Sequence, residues 1–330
     1  MQQNAAHCRT VAGAIFCLLI GYSLILPTIA QPPQKGIYIV STEHGCQFYD
    51  DEKPVMFYRT TPKTTAKGTY SRADYCHPLF GFDGEVITQD FPADHLHHRG
   101  IFWAWHQIYI GEKSIGDMWE CSDFNWDIRD THILCPSGDS AALQATVYWK
   151  SPNWDNGCKA FAEETVTIQV HPIVDSARSI DFRIEILALE QGLKIGGADN
   201  AKGYGGFSAR IILPNDIKMT GPNGPVAPKK TPVPAGNWLN FSGTFGRKQS
   251  DLAIFVHPDN PGHPTRRWIL RNSKSMQNAV YPGRKPIAVS TTRPLVLRYR
   301  LVLHDNAELD KLFRQYVCET KAIKKDLKTR

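Results

Sequence analysis

The chain has 330 residues, 42% hydrophobic and 21% charged, a composition that excludes a disordered protein and leaves room for a sizeable core. Its formal net charge of +6 hints at nucleic acid until it is located. Arg9 and the basic run in residues 321–330 carry most of it, so the body is nearly neutral and no nucleic-acid partner is expected.

In chain order, residues 1–30 read as a secretory signal. Arg9 is the only charged side chain there, an apolar run extends from Val11 to Leu26, and Thr28-Ile29-Ala30 offers a small-residue cleavage site. A retained anchor is the alternative, because the run is long for a signal and just short of a span. No second run is long enough to span, so the mature protein is expected to be exported to the periplasm or the exterior and free of the membrane. Removal of the signal leaves Cys46, Cys76, Cys121, Cys135, Cys158 and Cys318. An even number in an oxidising compartment predicts disulfide bonds, up to three, and the absence of CxxC spacing argues against a cysteine zinc site.

From Ile37 onward, β signals recur at short spacing. Cys46–Tyr49 and Val55–Tyr58 flank a turn-forming stretch and predict a hairpin. Ala142–Trp149, Glu164–Val170 and Ile180–Leu189 alternate apolar and polar residues, and Phe207–Leu213, Leu252–Val256, Ile287–Ser290 and Leu295–Leu303 continue the series. Residues 221–236, with five prolines, read as a long loop. One helical stripe stands out, Leu309, Leu312, Phe313, Tyr316 and Val317 within Asn306–Cys318. These elements predict an all-β fold, a large antiparallel β-sandwich formed as one domain over residues 31–320, with a short C-terminal helix and a basic, disordered tail at 321–330.

The chemistry concentrates in Asp90–His106. Of the 12 histidines, His77, His95, His97, His98 and His106 lie within thirty residues, beside Asp90, Asp94 and Arg99 and just before or among Trp103 and Trp105. On a strand, His95 and His97 would share a face and His98 would point away; the pair would suit either metal ligation, with Asp94, or two contacts to one substrate. No Glu follows at cupin spacing, so any further metal ligand would come from a distant strand. Trp103 and Trp105 fit either the core or a cleft that stacks on sugar rings.

Glu163 and Glu164 open the most regular strand and face opposite ways. Glu164 shares the apolar face of Val166, Ile168 and Val170, where burial would raise its pKa, and Glu163 shares the polar face; which of them meets a cleft stays open. The glycine-rich segment Lys202–Arg210 matches no P-loop or dinucleotide fingerprint. It is either a tight turn or a bulged loop delivering Tyr204 or Arg210 to a cleft.

His77-Pro78-Leu79, Asp94-His95-Leu96-His97-His98-Arg99-Gly100, Trp154-Asp155-Asn156-Gly157, Lys202–Gly206 and Leu297–Leu301 follow one another as in a bacterial family of exported β-proteins, which the chain resembles from about residue 37 to 305. That family carries the automatic label "methane oxygenase PmoA-like"; the membrane spans that such a label suggests are missing here. The resemblance implies a galactose-mutarotase-like supersandwich in which a carbohydrate lies across a concave sheet. On this basis the expected function is an exported carbohydrate-active enzyme of epimerase, lyase or hydrolase type. His95 or His97 and Glu164 or Glu163 would be the acid-base partners. His77, Asp94, His98, Arg99, Trp103, Trp105, His106, Tyr204 and Arg210 would line the substrate site. Two alternatives remain: a metal-dependent hydrolase or oxygenase, with a divalent metal on His95, His97 and Asp94, and a non-catalytic carbohydrate-binding protein.

Overall fold

A computed structural model describes residues 35–262 and 266–326. The expected signal, residues 1–30, and the last four residues of the expected tail lie outside the described residues. Period-two patterning becomes long antiparallel strands. Ala162–Val174 and Ala177–Ala188 form a hairpin in which Glu164 pairs with Ile186 and Ile168 with Phe182. Val166, Ile168, Val170, Ile180, Phe182, Ile184 and Ile186 are all buried, because a two-residue repeat sends every second side chain to the same face.

This hairpin belongs to a nine-stranded sheet ending at the edge strand Asn125–Cys135. A ten-stranded sheet faces it, and its inner part contains Gly206–Ala209, Ile101–Ala104, Tyr75–Leu79 and Lys53–Arg59 in spatial order. Trp103 and Phe207 of the second sheet meet Phe182 and Tyr299 of the first, with ring centroids 6.2 Å apart for Trp103 and Phe182 and 4.3 Å for Phe207 and Tyr299. A third sheet of four strands includes Gln107–Ile110 and Leu193–Gly196. The expected all-β antiparallel sandwich is therefore the observed architecture.

The differences have physical causes. Trp238–Phe245 is a strand that shows no alternation in sequence, because one face enters the main core through Leu239 and Phe241 while Trp238 is covered on the outside by the helix. Asn125–Cys135 is an edge strand whose charges, Asp127, Arg129 and Asp130, disguise it. The helix runs Leu309–Asp326, so it continues through residues 321–326, expected as tail. Its Leu309 and Tyr316 pack on Phe255 and Val302.

The six cysteines between Cys46 and Cys318 are all free, against the expectation of disulfide bonds. Register explains the closest candidates. Cys46 and Cys76 both pair with Tyr58, from opposite sides, which puts them two strand spacings or about 9–10 Å apart, beyond disulfide reach.

Gly100 ends the histidine segment where it meets the strand Tyr75–Leu79. A Cβ there would lie 2.2 Å from the Cys76 carbonyl oxygen and 2.8 Å from the His77 Cβ. Gly100→Ala is therefore expected to destabilise the protein by roughly 1–3 kcal/mol, read as a lower urea midpoint; an unchanged midpoint would refute this close approach.

Candidate active site

The strand pair Ile101–Ala104 and Gly206–Ala209 carries the site. Phe102 opposes Ser208 and Ala104 opposes Gly206, so even-numbered positions on both strands share a face, and Trp103 and Phe207 share the other. Trp103 and Trp105, 1% and 0% exposed, are core. Trp103 packs between the sheets, while Trp105 stacks near Trp149 and donates its indole N–H to the Tyr281 carbonyl. Their expected contact with substrate is corrected.

The segment preceding this strand is not a strand. It folds as consecutive turns, with His95 N–H donating to Pro92 O at 3.0 Å and His98 N–H to His95 O at 2.9 Å. His98 consequently does not point away from the others: its ring stacks on His95 with centroids 4.5 Å apart, and His97 stands edge-on to both at 4.6 and 5.7 Å. Arg99 holds these turns from below. It is fully buried, donates to the carbonyls of Leu96, His98 and Tyr70, and lies 3.4 Å over the Phe91 ring. Its expected role as a substrate clamp is corrected to that of a backbone anchor. His77 also supports rather than joins the cluster, its Nδ1 3.0 Å from Thr88 Oγ1, with burial lowering its pKa.

Each of the other three imidazoles is paired with a carboxylate. His95 Nδ1 is 2.9 Å from Asp94, His97 Nδ1 3.1 Å from Glu120, and His106 Nδ1 2.8 Å from Asp117. Asp94 also accepts from Arg210, whose Nη2 lies 2.7 and 2.9 Å from its two carboxylate oxygens. Burial works against the Asp94 carboxylate, but the bonds from His95 and Arg210 outweigh it and hold its pKa below the ordinary value. The bond from His97 likewise lowers the Glu120 pKa, aided by the charges of His106 and His95. Burial, then the charges of His97 and His95, drives His98 far below the ordinary histidine range, so it is neutral. Arg210 Nη1 lies 3.4 Å from His98 Nδ1; a guanidinium can only donate, which leaves the His98 proton on Nε2.

The glycine-rich segment serves as the delivering loop. Tyr204 sits with its ring 4.9 Å from both His106 and Trp119, and Arg210 reaches His98 from the far end of the same strand. Burial raises the Tyr204 pKa, followed by Glu120 and Asp117.

Asp117, Trp119 and Glu120 were not among the expected site residues. A closed turn brings them in: Asp117 and Ser122 exchange backbone hydrogen bonds, and Asp117 Oδ1 accepts from Glu120 N–H at 2.9 Å. The signal for it is Asp117-Met118-Trp119-Glu120, an Asp whose side chain can cap the residue three positions on. Fully buried Arg72 anchors this turn through the Met118 and Trp119 carbonyls.

Neither expected glutamate reaches the cluster. Glu163 faces the opposite side of the nine-stranded sheet, paired with Tyr148 and Leu187. Glu164 is 0% exposed and lies in the core, accepting the indole N–H groups of Trp103 and of Trp149, the latter at 2.8 Å. Beside it is Asp74, which accepts from Tyr58 OH at 2.7 Å. Among the described residues no three or more His, Cys, Asp or Glu side chains converge as a metal-holding group, so His95, His97 and Asp94 do not fit as one ligand set.

Residues 46–316 match a family model described as a family of unknown function, DUF6807. The chain belongs to that family. No curated protein matches. Among solved structures the chain is similar to that of a "putative mutarotase (YeaD)" from Salmonella typhimurium, at 8% identity and a TM-score of 0.33, covering 83% of this chain and 97% of that one.

Burial raises the Glu164 pKa well above the ordinary value, and the Asp74 charge adds to this; burial lifts Asp74 to about 6. The folded state then binds more protons than the unfolded chain, so the pair costs stability as pH rises from about 4 through about 6. The stability of the wild type relative to Asp74→Asn is expected to fall across that window in denaturant titrations. A difference independent of pH would refute the assignment.

Proposed function

We propose that the protein is an exported carbohydrate-processing enzyme that shifts protons on a sugar with carboxylate-backed imidazoles. The observation that carries this reading is the set of three pairs, His95 with Asp94, His97 with Glu120 and His106 with Asp117, gathered beside Trp119 and Tyr204. A carboxylate that accepts the Nδ1 proton of an imidazole leaves Nε2 free to take or give one. His95 is 40% exposed and His97 14%, and their rings lie 5.7 Å apart.

In the scheme this supports, His97 Nε2 removes the proton of a sugar hydroxyl while the His95 imidazolium protonates the ring oxygen. The C–O bond opens, and reclosure in the reverse sense returns both protons. Atoms balance without a co-reactant, so an isomerase-type reaction is the simplest fit. Glu120 replaces Glu163 and Glu164 as the carboxylate partner, and the half-buried Tyr204 supplies an aromatic face for the C–H side of the ring. Arg210 is 2% exposed and already neutralised by Asp94, so the part of the ligand in this cleft is uncharged. The apolar run at Val11–Leu26 supports export.

The test is anomer interconversion and ring-opening followed by NMR over a panel of mono- and oligosaccharides. His97→Ala is expected to lower kcat by about 10²–10⁴-fold on the accepted sugar, with Glu120→Gln giving a smaller loss and neither altering the thermal midpoint greatly. Turnover that survives both substitutions would sink the scheme. Saccharide binding without turnover would identify a binding protein instead.

A further inference from the structure

A cavity of about 350 Å³ lies against Asn200–Gly203, the stretch that leads into Tyr204. Asn200–Gly203, Arg266 with Arg267 at the start of a short strand, and Val280–Arg284 wall it, together with Pro232 and Gly262. Lys202, Arg266, Arg267 and Arg284 line it, and among the described residues no Asp or Glu does. The body of the chain is nearly neutral, so four cations in one lining are a local concentration and not a reflection of composition.

These cations are weakly compensated. Arg284 pairs with Asp199 at 2.8 Å, an exposed contact outside the lining, and among the described residues Lys202 and Arg267 enter no ion pair. Arg266 is 8% exposed, and its two terminal nitrogens are held by the carbonyls of Pro261, His257, Pro258 and Asn260, but its Nε has no partner. Like charges sharing a cavity repel, and an anion seated among Lys202, Arg267 and Arg284 relieves that repulsion, while Arg266, held by backbone carbonyls, adds its charge from the wall. The wall is firm on one side, since Gly203, at φ 55°, presses so close that a Cβ would lie 2.8 Å from the Arg284 nitrogen.

We infer that this cavity binds the oxyanion substituent, a carboxylate or a sulfate ester, of an acidic saccharide. Its volume is at the small end of ligand pockets and suits one sugar unit. The inference extends the proposed function to acidic glycans, because Lys202 lies only two residues from Tyr204 and the histidine cleft itself favours an uncharged unit. Recognition by four cations is a binding property and can be read without catalysis.

Isothermal titration of the full protein with oligogalacturonate, a sulfated galacto-oligosaccharide and a neutral galacto-oligosaccharide tests it. At least one acidic ligand is expected to bind ten-fold or more tightly than the neutral one, and whichever does identifies carboxylate or sulfate as the group. The Lys202→Ala, Arg267→Ala double variant, altered only at exposed positions, is expected to lose that preference while keeping its affinity for the neutral ligand. Equal binding of acidic and neutral ligands, no binding of either acidic ligand, or a preference undiminished in the double variant would overturn the inference. A preference that is present, and lost in the double variant, in a protein without turnover would leave the subsite standing and remove the enzymatic reading alone.

Discussion

Two fully buried guanidiniums hold the histidine cleft in shape. Arg99 gathers the carbonyls of Leu96, His98 and Tyr70, and Arg72 those of Met118 and Trp119. Beyond the bridge between Asp117 and Ser122 these loops have little ladder bonding, and backbone carbonyls turned inward there would otherwise be unpaired. Arginine suits the task because one planar group offers five donors and spreads its charge over aromatic faces, Phe91 for Arg99 and Phe102 with Trp126 for Arg72. Neither cation has the strong carboxylate partner that burial ordinarily demands. Asp90 comes only to 3.5 Å of Arg99 Nε and is shared with Lys63, and the two guanidiniums repel each other. Desolvation of these groups is the cost of a rigid polar cleft, offset by the aromatic core beneath.

That core and the cleft are two sides of one strand. Along Ile101–Ala104, Trp103 turns inward to Glu164, Phe182 and Phe207, and Phe102 turns toward His98 and Trp119. A shift of one residue in register would exchange them, putting the Trp103 indole into the cleft and leaving Glu164 with the Trp149 indole alone. The buried network of Tyr58, Asp74, Glu164, Trp103 and Trp149 thus fixes the register on which the cleft depends.

Much of this was legible in the sequence. Two-residue alternation marked the long strands, and at Glu164 it indicated a buried carboxylate with a raised pKa. Crowding of imidazoles marked the stretch on which the candidate cleft is built, whereas the glycine-rich segment left a tight turn and a loop delivering Tyr204 or Arg210 equally open. Other features were not legible, for reasons that recur. His95–His98 reads equally as strand or turns, since what decides is the anchoring by Arg99 through tertiary contacts. Glu120 lies between Trp119 and Cys121 with nothing local to distinguish it from a surface acid; only the Asp117 turn, spaced three residues back, aims it at His97. Trp103 and Trp105 could not be assigned to core or cleft from four apolar neighbours, because both faces of that strand are covered.

Charge accounting in the cleft narrows what it can do. Asp94 neutralises Arg210, and His98, kept uncharged by burial, has its tautomer fixed by Arg210 so that it presents Nε2–H only. His98 is therefore a neutral stacking partner beneath His95 and not a proton carrier. The groups left for the proposed proton exchange are the imidazoles whose Nδ1 atoms lie beside carboxylates, His95, His97 and His106. Of these, His106 is enclosed by Trp119 and Tyr204, and its Nε2 is buried without a partner. A ligand can reach that atom only if the Tyr204 loop shifts. The His95 side chain, 40% exposed, is the most open of the three, and the proposed proton exchange is assigned to it and to His97, whose ring stands edge-on to it.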